Sequence, residues 1–181
     1  MKTVKITTQR IMELMGKLAC QTKAPTGVRV DKPVSLDINE LIRETLQGMH
    51  GAGCRPVFHA GSDIPCVRFQ GESFKQVVLN LIINAQQAMG KQGKLDIYTR
   101  ALGQEIVVEV VDTGPGMTAG QLEHLFEPFQ SSKKTGLGIG LYQCKRIIEE
   151  QGGSIRVESC LGKGTKITLT FPVQIAETVT V

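Results

Sequence analysis

Asp112-Thr113-Gly114-Pro115-Gly116-Met117 and Gly136-Leu137-Gly138-Ile139-Gly140-Leu141 are two glycine boxes that bracket a polar segment, and their reading decides the fold. The first box ends an apolar run, Glu105 to Val111, in which Ile106, Val108 and Val110 share one face and Glu109 points the other way, the pattern of a half-buried strand. Asp112 has the parity of the core face. An inward carboxylate at a strand end is costly to leave unpaired, so it awaits a hydrogen-bond donor. Ionised Asp only accepts, so it suits the exocyclic amine of adenine, whereas guanine offers a carbonyl at that place. The second box opens a helix. Its glycines let backbone approach a ligand, and Leu141, Cys144, Ile147 and Ile148 give the helix behind them one apolar face. The N-terminus of such a helix is a phosphate site. A dinucleotide-binding Rossmann turn is excluded, because the spacing is not Gly-x-Gly-x-x-Gly and no strand runs directly into the box.

Upstream of both boxes, a long helix is expected from about Glu72 to Met89, with Phe74, Val77, Val78, Leu81, Ala85 and Ala88 on one stripe. Gln76, Asn80, Asn84 and Gln87 form a neighbouring stripe of amides. Asn is a weak helix former that competes for the backbone, so two of them four residues apart need a reason. One reason is a buried hydrogen-bond network without a ligand. The other is that amide oxygens coordinate a hard cation such as Mg²⁺, which keeps waters beside nucleotide phosphates, while amide nitrogens contact phosphate.

The remaining segments build an α+β chain. A strand at Val34 to Leu36 precedes a helix capped by Asp37 or Asn39 and running through Met49. Short strands are expected at Val57 to His59 and Val67 to Phe69, a hairpin at Leu95 to Arg100 and Glu105 to Val111, and another at Ser154 to Ser159 and Thr165 to Phe171. In the last strand Ile167, Leu169 and Phe171 point inward, and the same parity turns Thr165 inward. Hairpins with helices inserted between them imply a two-layer α/β sandwich, a mixed sheet with helices on one face, leaving Arg156, Glu158, Lys166 and Thr168 toward water. Thr7 to Gln21 reads as a helix followed by a hinge at Lys23 to Gly27, either a terminal helix folded onto its own domain or part of an interhelical dimer stem. The tail beyond Pro172 is expected to be loosely ordered.

The chain has 181 residues, 41% hydrophobic and 21% charged, with a formal charge of +4, as expected of one main domain. It has no basic run of the kind that tracks nucleic acid, and a nucleotide ligand accounts for a modest positive balance. Five scattered cysteines without metal spacing point to a reduced cytosolic setting. No apolar run is long enough to span a bilayer, which leaves open a membrane anchor in a longer parent chain.

Taken together, Gln76 to Ala85, Asp112 to Met117, Leu125-Phe126-Glu127-Pro128-Phe129, Gly136 to Leu141 and Gly162-Lys163-Gly164-Thr165 resemble, in order, the boxes of the catalytic ATP-binding domain of sensor histidine kinases. The resemblance covers roughly Pro33 to Pro172, and Arg10 to Leu18 is similar to the end of the family's dimerisation and phosphoacceptor helix hairpin. It implies the Bergerat-type sandwich shared with gyrase B, Hsp90 and MutL, divided here into residues 1–24, the end of the dimerisation helix and hinge, and 25–181, the catalytic domain. It also implies ATP and Mg²⁺ as ligands. Asp112 would bind the adenine amine, with Gly116 and Met117 beside the ring and Gly114 among the cofactor-binding residues. Asn84 would coordinate Mg²⁺, Asn80 would reach the phosphates, and Gln87 stands where many relatives carry a basic residue. Gly136, Gly138 and Gly140 would wrap the phosphates, with Leu137, Ile139 and Leu141 of the same box also cofactor-binding, Thr165 would support Asp112 or its bound water, and Lys133 or Lys134 would pair with the γ-phosphate unless it is a solvated charge. Phe126 and Phe129 would anchor the lid by packing on the domain. The implied partners are the helix hairpin of the parent protein, a response regulator and a second copy in a full-length homodimer.

Two departures shape the expected function. Of the three histidines, His50, His59 and His124, none has the context of a phosphoacceptor, so the γ-phosphate is expected to go to a histidine outside this chain. In the ATP-hydrolysing relatives the position of Asn80 is a water-activating Glu, and Asn cannot act as that base. Transfer to a protein side chain is therefore favoured over hydrolysis. An anti-sigma-type serine kinase, which also places Asn at this position, and a non-catalytic ATP-binding module are the alternatives.

Overall fold

The architecture was obtained as a computed structural model, which describes residues 34–49, 54–90, 92–129 and 138–173. All of these belong to one unit, Lys32–Val181. The expected N-terminal helix, its hinge, the domain boundary at residue 24, His50 and the tail from residue 174 lie outside the described residues.

Polar-apolar alternation produces the sheet. Strands β2 (Val57–His59), β4 (Leu95–Leu102), β5 (Glu105–Asp112), β6 (Ser154–Cys160) and β7 (Gly164–Pro172) assemble in the order β2-β4-β5-β7-β6. The β2–β4 pair is parallel and the others are antiparallel, so the sheet is mixed. Strands β1 (Val34–Leu36) and β3 (Val67–Phe69) pair with each other as a separate antiparallel ribbon. Ile97, Ile106, Val108, Val110, Leu169 and Phe171 bury on one face, as their parity requires. On the other face Arg100, Glu109, Lys166 and Glu158 form cross-strand ion pairs from β4 to β6, Lys166 lying 2.7 Å from Glu158.

Helices α1 (Ile38–Gln47), α2 (Gly71–Met89) and α4 (Gly140–Glu150) supply the second layer. Asp37 caps α1, its carboxylate accepting the N–H of Asn39 at 2.7 Å and of Glu40 at 3.3 Å. Asn39 is buried instead, donating to the Gly61 carbonyl at 3.1 Å and accepting the Thr99 hydroxyl at 2.6 Å, which ties α1 to the sheet. The helix ends at Gln47, short of Met49: Gly48 makes the last i→i−4 bond, to the Glu44 carbonyl, and the Met49 N–H goes to the Leu46 carbonyl at 3.3 Å instead. In α2 the buried stripe is Phe74, Val77, Val78, Leu81, Ile82 and Ala85. Ile82 joins it because α2 has both the sheet and a helix on either side, whereas Ala88, expected inside, is exposed on the last turn beside Gly114. Phe69, Phe74 and Phe171 meet edge to face, with centroids 5.3 to 5.8 Å apart, and lock β3, α2 and β7 together. No helix among the described residues is long and apolar enough to cross a membrane.

Candidate functional site

The end of β5 meets the far end of α2 beside Asp112, and the start of α4 meets α2 at Asn84. Asp112 is 8% exposed, and its Oδ1 accepts the Gly114 N–H at 2.8 Å. Burial pushes its carboxyl above the usual carboxylate range, opposed by hydrogen bonds from the backbone of Gly114 and Thr165. Thr165 is the register partner of Asp112 across β5 and β7 and is equally buried. The inward turn of both residues is therefore as their parity requires.

The loop after Asp112 is pinned along its whole length. Thr113 exchanges two hydrogen bonds with the backbone of Lys94, its N–H donating at 3.1 Å and its hydroxyl accepting at 2.9 Å. Pro115 accepts the Gly162 N–H at 2.7 Å, and the Met117 N–H donates to the Ser159 hydroxyl at 2.9 Å. Gly116 holds φ at 68°, and any Cβ there would collide with the Cys160 carbonyl. At Gly114 a Cβ would lie 2.7 Å from Asp112 Oδ1 and 3.3 Å from Met89 Cγ, so the absence of a side chain keeps open the space in front of the carboxylate. The result is a cleft edged by a hydrogen-bonded loop, with an acceptor at its base.

Across from it, the Asn84 carboxamide faces the start of α4, its Nδ2 being 3.8 Å from where a Cβ on Gly140 would stand. Asn80 lies one turn back, near the buried Cys144, whose thiol donates to the Val77 carbonyl at 3.9 Å and whose pKa is pushed up to about 11 chiefly by burial. Gly138 has φ at 67° and leads into Ile139, whose apolar side chain cannot cap, so the first N–H groups of α4 are presented without a competing side-chain acceptor. Leu141 and Ile147 pack against the core. Gln87 is exposed on the last turn of α2, and Lys133, Gly136 and Leu137 lie outside the described residues. The structure thus brings Asn84 together with the α4 start, and Asp112, Gly114, Gly116, Met117 and Thr165 together at the end of β5. A metal cluster of three or more His, Cys, Asp or Glu is absent among the described residues.

The segment between the boxes departs from its simple reading. A short helix, α3 (Ala119–Glu123), starts on a capping box in which Thr118 accepts the Gln121 N–H and the Gln121 side chain accepts the Thr118 N–H. Phe126 is half-buried with the Lys145 ammonium 5.3 Å from its ring centroid, consistent with an anchor. Phe129 is 43% exposed and does not pack as expected; it is held through its backbone, φ 67°, with its N–H on the Gly138 carbonyl at 3.1 Å. Ser159 is a site residue that sequence reading missed. It is a polar residue at the inward parity of Ile155 and Val157, opposite Thr165, which is the same signal that exposed Thr165.

Comparison with known proteins gives a consistent result. Residues 70–175 match the family described as histidine kinase-, DNA gyrase B-, and HSP90-like ATPase. The chain is similar to the sensor histidine kinase ZraS of Escherichia coli O157:H7, 37% identical over 145 residues that cover 78% of this chain and 32% of the relative. It is 43% identical over 107 residues to sporulation kinase D of Bacillus subtilis strain 168, covering 59% of this chain and 21% of that protein. The chain therefore spans a third or less of the length of these curated relatives. Among solved structures, the catalytic domain of histidine kinase ThkA in a nucleotide-free form superposes with a TM-score of 0.69 at 29% identity, covering 78% of this chain and 95% of that one.

Proposed function

The chain belongs to the family of histidine kinase-, DNA gyrase B-, and HSP90-like ATPases, and on that premise we propose that it is the ATP-binding catalytic domain of a two-component sensor histidine kinase. The observation that carries the proposal is the buried Asp112 carboxylate facing a cleft kept open by Gly114. In this reading Asp112 accepts the adenine amine, Gly116 and Met117 line the ring, and Thr165 adds a second polar group beside it. The start of α4, from Gly138 to Leu141, takes the phosphates with Asn80, and Gly136, Leu137 and Lys133 extend that role into the lid. Gln87 borders the same end of α2.

The donor set fits Mg²⁺. A single amide oxygen, from Asn84, beside a helix start suits an ion that takes its other ligands from phosphate and water. Bound there, Mg²⁺ would supply charge neutralisation on the transferred phosphoryl group. The chain's own residues then hold ATP by its base and align its phosphates, and the terminal phosphoryl is transferred to the imidazole nitrogen of a histidine outside this chain, with ADP as leaving group. None of the described histidines suits that role: His59 stacks on Tyr98 and bonds Asp96 at 2.8 Å, and His124 pairs with Glu127 at 3.0 Å. Residues 1–24 are assigned to the end of the dimerisation hairpin and 25–181 to the catalytic domain, working in the cytoplasm as part of a homodimer that feeds a response regulator. The resemblance and the histidine kinases among the relatives support these assignments.

Radiolabelled ATP tests the proposal. The isolated chain should bind ATP, release phosphate very slowly and remain unlabelled, and the parent protein's helix hairpin added in trans should become labelled in a Mg²⁺-dependent manner. Acid-labile, base-stable phosphate on the isolated chain, or efficient phosphate release, would overturn it.

A further inference from the structure

The Ser159 hydroxyl makes three polar contacts: it accepts the Met117 N–H at 2.9 Å, and it stands 3.0 Å from the Gly164 carbonyl oxygen and 2.9 Å from the Thr165 hydroxyl. A hydroxyl has one proton to donate and two lone pairs to accept with. The Gly164 carbonyl can only accept and the Met117 N–H can only donate. All three contacts are hydrogen bonds in one proton arrangement alone: Ser159 donates to Gly164 and accepts from both Met117 and Thr165. The Thr165 proton is then directed at Ser159, which leaves the Thr165 hydroxyl only oxygen lone pairs to offer any further partner. Its neighbour Asp112 is also an acceptor.

Resting on the nucleotide-binding reading above, we propose that Ser159 is a positioning residue for base selection, fixing the Thr165 hydroxyl as an acceptor so that the cleft presents two acceptors and no hydroxyl donor to the six-position of a purine. An amino group at that position satisfies the pair, and a carbonyl meets acceptors only. The same hydroxyl holds the Met117 end of the loop against the β6–β7 hairpin, so one side chain sets both the shape and the polarity of the base site. Removing it frees the Thr165 hydroxyl to rotate and donate to a carbonyl.

The test uses the full chain and two nucleotides that differ at the six-position, ATP and inosine triphosphate, titrated calorimetrically. Wild type should prefer ATP. Ser159→Ala should weaken ATP by about tenfold, the scale of one or two lost hydrogen bonds, and weaken inosine triphosphate much less, so that the preference narrows, while Ser159→Thr restores it. Equal weakening of both nucleotides would reduce Ser159 to a loop anchor and overturn the proposal, as would unchanged binding. Should Ser159→Ala fail to fold, Thr165→Val decides, since it leaves the Ser159 bonds to Met117 and Gly164 in place: a narrowed preference supports the assignment and an unchanged one overturns it. A wild-type chain with no preference for ATP would instead count against the nucleotide reading itself, an outcome seen before any variant is made.

Discussion

Burial holds the Asp112 carboxyl above the usual carboxylate range despite the two N–H groups that oppose it. A carboxyl whose folded pKa exceeds its unfolded one stabilises the fold when protonated. That contribution is complete below the unfolded pKa and lost as pH rises through the folded pKa, so at neutral pH the ionised group costs stability. Asp112→Asn should therefore raise the melting temperature of the nucleotide-free chain at pH 7, and the gain should shrink as pH falls through the raised pKa. The same substitution should weaken ATP sharply, because the amide can turn a donor toward the adenine amine. Calorimetric melting together with an ATP titration checks both, and a variant that melts lower yet binds normally would contradict the assignment. Cys144 makes a complementary case: fully buried and with its pKa pushed to about 11, it has little thiolate at pH 8. Maleimide should label the exposed Cys66 and Cys160 and leave Cys144 unmodified until the chain unfolds, as peptide mapping would reveal.

At the scale of elements, strands with a clear period of two were legible, and so were the polar residues whose parity contradicts their chemistry. Asp112 and Thr165 were found by that contradiction, and Ser159 could have been. The short helix α3 was missed although Thr118 and Gln121 have capping-box spacing, because no apolar stripe accompanies them. Phe129 misled because apolarity says nothing of a backbone at positive φ. Asn39 looked like a cap and became a buried fastener through Gly61 and Thr99, partners more than twenty residues away in sequence. At the meeting of α2 and α4, Asn84→Ala should abolish the Mg²⁺-dependent part of nucleotide affinity and leave the melting temperature of the free chain nearly unchanged, since the residue lies at the edge of the core. Titration with and without Mg²⁺ decides this, and an unaltered Mg²⁺ dependence would remove Asn84 from the metal site. Gly164→Ala, by contrast, should destabilise the free chain by about 1–3 kcal/mol, because φ is 102° and a Cβ would collide with the Asp112 carbonyl. Chemical denaturation measures it.

In the molecule as a whole, the two faces of the sheet have separate tasks. One carries the helices and ends in the cleft; the other carries the Arg100, Glu109, Lys166 and Glu158 chain, a solvated face whose ion pairs weaken with salt. The core of Phe69, Phe74, Phe171, Ile82, Ile97, Leu169 and their neighbours lies between the first face and the helices and makes the cleft a consequence of global folding. A ligand that binds the folded state alone must then stabilise the entire unit. At a concentration one hundred times its Kd, ATP contributes about 2.7 kcal/mol, which for a domain of this size raises the melting temperature by about 5–10 °C. With Mg²⁺ present, ATP should produce this shift and GTP a much smaller one at the same concentration. Raising the salt from 0.1 to 0.5 M should lower the baseline only slightly, because exposed pairs contribute little, and should leave the order of the two nucleotides unchanged. Equal shifts from ATP and GTP would show that the buried carboxylate does not read the base.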